Sequence, residues 1–331
     1  MKKYSQQFIK ISILSIGVIV ISLFSLASTK SDVYRELARS QRLINEVYKS
    51  LITRYADRLD TEKFTKTVIN NILDGLDPYT VYLEDDEKEG LDLLTQGKYG
   101  GVGINLGERD KKLTVISPID DSPAKYKGII AGDIIVKIDG SLTEEMSLDD
   151  AASHIRGPKG TDVILSIKRF GDEQLIDFVL TRADITVKDV TYAGMLDDET
   201  GYIRLMRFSK NSGPEIRSSI LNLQRDNARR IIIDLRDNPG GLLQSAIEIL
   251  DMIIHKGELL LSTKGRLPEA NKRYIARKKP VVEDDFKIAI LINEGSASAS
   301  EIIAGAIQDL DRGVIVGTPS FGKGLVQSVY G

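Results

Sequence analysis

The chain of 331 residues has no cysteine, no tryptophan and only two histidines, His154 and His255. A cysteine nucleophile is therefore excluded, and so is a His-Glu-x-x-His zinc site. His154 falls in an amphipathic helical pattern, and His255 in an Ile-His-Lys-Gly helix ending. A serine used as a nucleophile is better matched to a lysine base than to either histidine. No charge sign dominates: the net charge is −3, which gives no reason to expect nucleic acid as a partner. Internal repeats and low-complexity tracts are lacking too, and 331 residues suffice for about two domains with a buried core.

What is present concentrates near the C-terminal end. Gly295-Ser-Ala-Ser-Ala-Ser-Glu301 sets three serines alternating with alanines before Ile302, Ile303, Ala306, Ile307 and Leu310, which recur at helical spacing. Ser298-Ala-Ser-Glu301 fits the S-x-x-E capping box, so simple capping accounts for the stretch by itself. A serine there also faces unpaired amides and the positive end of a helix, where an oxyanion is stabilised. Further on, Ser320-Phe-Gly-Lys-Gly324 sets one lysine between glycines. A lysine serves as base only when neutral, so its ordinary pKa of about 10.4 must fall by roughly 3, which costs about 4 kcal/mol of burial among apolar groups. Val314, Ile315, Val316, Phe321, Leu325 and Val326 predict such a dry pocket around Lys323, with Ser298 as the nucleophile it serves.

The same lysine stretch has a rival reading. Gly317 to Lys323 matches the first seven positions of the phosphate loop G-x-x-x-x-G-K. The eighth position is Gly324 instead of Ser or Thr, and Leu325 to Tyr330 reads as a strand where a helix should follow, so nucleotide binding is set aside. Arg229-Arg-Ile-Ile-Ile-Asp-Leu-Arg236 reads as a buried strand running into Asp237-Asn-Pro-Gly-Gly241 and a helix from Leu242 to Ile254. The glycines offer free amides at a strand-to-helix turn, a feature that an ordinary βα turn shares.

Five motifs together resemble the C-terminal processing peptidases, or tail-specific proteases. They are Gly75-Leu-Asp-Pro-Tyr-Thr-Val-Tyr-Leu83, Tyr99-Gly-Gly-Val-Gly-Ile104, Asp234-Leu-Arg-Asp-Asn-Pro-Gly-Gly241, Ser296-Ala-Ser-Ala-Ser-Glu301 and Phe321-Gly-Lys-Gly324, in the family's order from about Ser31 onward. The resemblance implies a serine–lysine endopeptidase with Ser298 as nucleophile, Lys323 as base and Gln327 positioning the lysine. It implies an oxyanion hole from the Ala299 amide and one from Gly240 or Gly241, a core of crotonase-like type, and no metal or cofactor. Spacing alone does not choose Ser298 over Ser296 or Ser300; the family pattern does. Family members continue with further strands and helices, which implies that the core is incomplete at Gly331. The alternative function is a catalytically silent envelope scaffold that binds C-terminal peptides.

In order, residues 1–29 read as a signal peptide or an uncleaved membrane anchor. Lys2, Lys3 and Lys10 precede an apolar run from Ile11 to Ala27, with a small-x-small site at Ser25-Leu-Ala27. Either form predicts export, to the periplasm or the outer face of the cytoplasmic membrane. Residues 30–95 read as a helical region, with Val33, Leu37, Leu43, Ile44, Val47, Leu51 and Ile52 in one stripe packed on a core. The family analogy adds homodimer contacts there. Asp60 opens a second helix, Asp77-Pro78 stops it, and the residues from Leu83 to Glu89 form a solvated acidic face.

Residues 96–182 look like a PDZ domain, and 183–331 like an α/β core, giving an α/β (α+β multidomain) fold class. In the PDZ reading, the amides of Tyr99, Gly100, Gly101, Val102, Gly103 and Ile104 hold the terminal carboxylate of a peptide that adds as an extra strand. Ser147 caps the helix forming the other groove wall. A dinucleotide fingerprint is set aside because Gly101-x-Gly103 lacks the third glycine and opens a strand. In the resembled family an arginine matching Arg156 relays groove occupancy to the catalytic centre; alone it reads as a solvent-facing helix end. The basic stretch Asn271 to Lys279 reads as an exposed loop.

Overall fold

A computed structural model describes residues 34–84, 90 and 95–330. Residues 1–29, expected to be a signal peptide or membrane anchor, and residues 85–89 of the acidic run lie outside the described residues. The chain divides into two units, Met1–Tyr82 and Leu83–Gly331.

In the first unit, helix α1 spans 34–54 and α2 spans Thr61–Asp74. α2 starts where the sequence signals it. Asp60 Oδ1 accepts the amides of Glu62 (3.0 Å) and Lys63 (3.1 Å), two donors that a helix start otherwise leaves unpaired. Past its end, the Asp77 carboxylate accepts the amides of Tyr79 and Thr80 and the Thr80 hydroxyl, folding the chain into a turn. Leu37, Leu43, Ile44, Val47 and Leu51 are exposed. Helical spacing gathers them on one face but does not dictate what covers it, so the expected core packing of this stripe is not found.

The second unit opens with β1 (Lys98–Gly101), which leads through Val102 and Gly103 into β2 (Ile104–Arg109) and β3 (Lys112–Pro118). A one-turn helix α3 (Pro123–Tyr126), β4 (Ile134–Ile138), β5 (Ser141–Leu142), α4 (Leu148–Ile155), β6 (Asp162–Lys168) and β7 (Ile176–Thr181) follow. The sheet runs β2-β3-β4-β6-β7, with β5 paired to β4. Every pair is antiparallel, and the alternating Val163, Leu165 and Ile167 of β6 are fully buried. α4 starts with a reciprocal box, the Ser147 hydroxyl accepting the Asp150 amide while the Asp150 carboxylate accepts the Ser147 amide. It packs against β2 and β4, leaving β2 as an edge strand with a helix beside it. The chain then returns through β8 (Ala183–Thr186), antiparallel to β1.

Most of the remaining strands form one five-stranded sheet, in the order β15 (Val314–Gly317), β14 (Lys287–Ile292), β11 (Arg230–Asp234), β10 (Thr200–Leu205), β9 (Val190–Met195). β9 is antiparallel to β10. The parallel strands β10, β11, β14 and β15 need long crossovers. Helices α5 (Ser212–Arg225), α6 (Leu243–Leu250) and α7 (Ala299–Asp309) lie in these crossovers and share one core with Ile203, Ile231, Ile233, Ile288 and Ile290. A hairpin of β12 (Leu259–Thr263) and β13 (Lys272–Ile275) lies between β11 and β14 in sequence.

Three expectations change. The Asn271–Lys279 stretch contributes β13 instead of a loop; its partner lies about a dozen residues back, outside a local reading. α6 ends at Leu250, short of Ile254, and Asp251 just beyond accepts the amides of Arg277 and Lys278. Leu325 to Tyr330 joins no sheet, and Leu325, Val326, Val329 and Tyr330 are exposed. β-branched composition makes a strand only where a neighbour completes the ladder, and none among the described residues pairs with this segment.

Candidate active site

The ends of β11 and β14 are adjacent in the parallel register, Asp234 opposite Leu291. The turns that follow therefore meet, as expected at the carboxyl rim of an α/β sheet. Their contact is built from buried polar groups. Asn238 is fully buried: its Nδ2 donates to Leu205 O, and its backbone carbonyl accepts the Ala297 amide and the Ser300 hydroxyl. Ser296 donates to Leu235 O at 2.7 Å and accepts the Asn293 amide. Ser296 and Ser300 are thus internal staples with no exposed surface. Ser298, between them, is half-buried and adopts φ +53° and ψ −110°, a conformation that costs a non-glycine residue on the order of 1–3 kcal/mol. Of the three serines, the geometry leaves Ser298 as the one presented at the start of α7.

Gly240 lies directly beneath it. A Cβ at Gly240 would sit 2.6 Å from Ala297 O and 2.9 Å from both Ala299 N and the Ser298 Cβ. Its amide is not free, since it donates to Asn238 Oδ1 at 2.9 Å. That corrects the expectation of two open amides: the asparagine two residues back turns its side chain onto the first glycine. Gly241 is exposed and clamped by Phe208, whose amide donates to Gly240 O and whose carbonyl accepts the Leu242 amide. Gly241 and Ala299, the first residue of α7, remain as the oxyanion candidates.

Lys323 reaches this site through Glu301. One carboxylate oxygen accepts the Ser320 hydroxyl (2.8 Å) and the Gly322 amide (2.7 Å). The other accepts the amides of Ser298 (2.7 Å) and Lys323 (3.0 Å). Burial pushes the Glu301 pKa up, but the Ser320 hydroxyl and the three amides outweigh it and hold the carboxyl below its ordinary range. Lys323 Nζ donates to Gln327 Oε1, which brings the third expected residue to the lysine. The dry pocket is not built by the sequence neighbours: Lys323 is half-buried, and Val314, Val316, Phe321, Leu325 and Val326 are exposed. Apolar residues in an unpaired segment do not turn inward because of composition alone.

Next to this rim, Asp234 has no exposed surface. It accepts the Tyr202 hydroxyl at 2.5 Å and two bonds from the Arg236 guanidinium, at 2.9 and 2.6 Å. Burial disfavours its charge, yet Arg236 and Tyr202 outweigh that and bring its pKa down to about 2.

At the β2 groove, the glycine-rich stretch divides in two. Tyr99, Gly100 and Gly101 belong to β1 and pair with β8, which corrects the reading of the whole run as a carboxylate loop. Val102 and Gly103 form the turn before Ile104 opens β2, and Gly103 at φ +76° lies against Ser122. Arg156, exposed at the end of α4, stacks its guanidinium 5.2 Å over the Tyr99 ring. Burial raises the Tyr99 phenol pKa, against the pull of Arg156 and Arg207.

Sequence reasoning missed Asn238 and the larger role of Glu301. The capping spacing signals the Glu301 bond to Ser298, but nothing local signals its bonds to residues 320–323.

The comparisons define the class first. Residues 199–331 match the model of peptidase family S41, and residues 114–169 match the PDZ domain model, so this is a serine-type peptidase fold carrying a PDZ domain. The chain is 37% identical to a carboxy-terminal-processing protease of Bartonella bacilliformis over 96% of this chain and 72% of that protein. It is 32% identical to a probable CtpA-like serine protease of Staphylococcus haemolyticus, over 96% of this chain and 63% of that protein. A solved structure of a photosystem II D1 C-terminal processing protease aligns with a TM-score of 0.46 and 26% identity, covering 87% of this chain and 83% of the other. The chain belongs to the carboxy-terminal-processing protease family of serine peptidases.

Proposed function

We propose that this chain is the catalytic and tail-binding part of an exported endopeptidase that uses a Ser298–Lys323 dyad. In this reading the PDZ groove takes the C-terminal strand of a protein substrate along the β2 edge, its carboxylate at the Val102–Gly103 turn and α4 as the other wall. Ser298 Oγ attacks the scissile carbonyl and passes its proton to the Lys323 amine. The amides of Ala299 and Gly241 hold the oxyanion, the lysine returns the proton to the leaving amine, and water then hydrolyses the acyl-enzyme. Gln327 orients the amine. The observation that carries the reading is the shared Glu301 oxygen, which brings the main chains of Ser298 and Lys323 to one point.

The test is digestion of an unstructured protein such as casein, alongside binding of a peptide ending in a free carboxylate. Ser298→Ala and Lys323→Ala should each abolish cleavage while peptide binding persists. Cleavage retained in either variant would remove the dyad, and binding without turnover in the unsubstituted chain would favour the scaffold reading. Export rests on the basic-then-apolar pattern of residues 1–29, and recovery of the chain with cytoplasmic proteins on fractionation would contradict it.

A further inference from the structure

We infer that Glu301 is a positioning residue that sets the approach of Lys323 to Ser298, an inference that rests on the dyad reading. A capping glutamate at this helix position serves the one amide three residues back. Here that bond is only one of four. The other three donors, the Ser320 hydroxyl and the amides of Gly322 and Lys323, come from a segment about twenty residues further on. Helix capping does not account for them.

At its start the segment they come from is held by the Thr318 hydroxyl, which donates to Glu294 Oε2 at 3.1 Å. Beyond Gly317 no strand pairing among the described residues holds it. Its other backbone bonds to the site are Thr318 N to Ile292 O at 3.3 Å and Phe321 N to Ser296 O at 3.0 Å. Charge-assisted bonds to a carboxylate are about twice as strong as neutral ones, so Glu301 dominates the placement of residues 320–323. A carboxylate is also the side chain suited to the task. It accepts at both oxygens and donates at neither, matching two pairs of donors. Glutamine would turn an NH2 group toward one pair, setting donor against donor. Glu301 therefore fixes Ser298 through its amide and Lys323 through its loop, without touching the reacting atoms.

The experiment compares the full chain with Glu301→Gln, Ser320→Ala, Ser298→Ala and Lys323→Ala. It measures kcat and KM per titrated active site, and the amide proton resonances of Gly322 and Lys323. Displacing the lysine by about 1 Å should lower kcat in Glu301→Gln by roughly 10²-fold. KM should stay near the unsubstituted value, because the binding groove is untouched. The two amide resonances should move upfield, a change that a general loss of stability would not produce. Ser320→Ala, which removes a single donor, should give a smaller fall in kcat in the same direction; it decides the matter if Glu301→Gln fails to fold. Unchanged kcat and unchanged amide resonances, beside inactive Ser298→Ala and Lys323→Ala, would overturn the clamp and leave the dyad standing. Cleavage surviving in Ser298→Ala or Lys323→Ala would overturn the dyad itself, and the clamp's role with it.

Discussion

Gly240 is confined to glycine for two separate reasons. Its φ of +95° is a conformation that side chains rarely adopt, and a Cβ would intrude on Ala297 O, Ala299 N and the Ser298 Cβ at once. The atoms in the way are mostly backbone, so relief requires moving the Ser298 turn itself. Gly240→Ala should lower stability by at least about 1–3 kcal/mol and cost cleavage activity well beyond that loss. Thermal unfolding and casein digestion on the same preparation would separate the two. A variant with normal melting and normal turnover would show that the turn has slack. The Gly-Gly pair was legible in the sequence as a turn with chemical promise, but the division of labour within it was not. That depends on the Asn238 side chain, whose direction no local pattern encodes. The serines tell the same story: alternation puts Ser296 and Ser300 in equivalent positions, and only the folded turns reveal that both are spent on backbone carbonyls.

At the scale of elements, β11 was readable because its hydrophobic run admits little else than a buried parallel strand. The charge at its end holds it in place at ordinary pH. Asp234 has its pKa depressed to about 2 from an ordinary 3.8, so it binds fewer protons folded than unfolded near pH 3. Its contribution of about 2 kcal/mol is therefore complete above about pH 5 and is lost as the pH falls through about 2. Asp234→Asn should remove this part of the acid sensitivity while lowering stability at neutral pH, as read by denaturant melts at pH 7 and pH 3. An equal loss at both pH values would contradict the assignment. Elements with local signatures, such as α2 behind Asp60 and α4 behind Ser147, were legible almost to the residue. β13 and the segment after Lys323 were not, since the first depends on a distant partner and the second joins no strand among the described residues.

For the whole molecule, the ribbon of β1 and β8 brackets the β2–β7 sheet in the chain, ahead of the five-stranded sheet that begins at β9. Tyr99 on β1 lies under Arg156, the neighbouring Gln96 carbonyl accepts Asn211 Nδ2, and β8 runs on toward β9. The chain spans 72% of the Bartonella relative and 63% of the staphylococcal one. The central claim concerns one hydroxyl among three closely spaced serines, activated by one lysine. The most direct measurement is mass spectrometric mapping of the adduct left by a serine-directed fluorophosphonate on the folded chain. The account predicts a single adduct on Ser298, absent in Lys323→Ala and absent after unfolding. Labelling of Ser296 or Ser300, or labelling of Ser298 at an unchanged rate without the lysine, would contradict it.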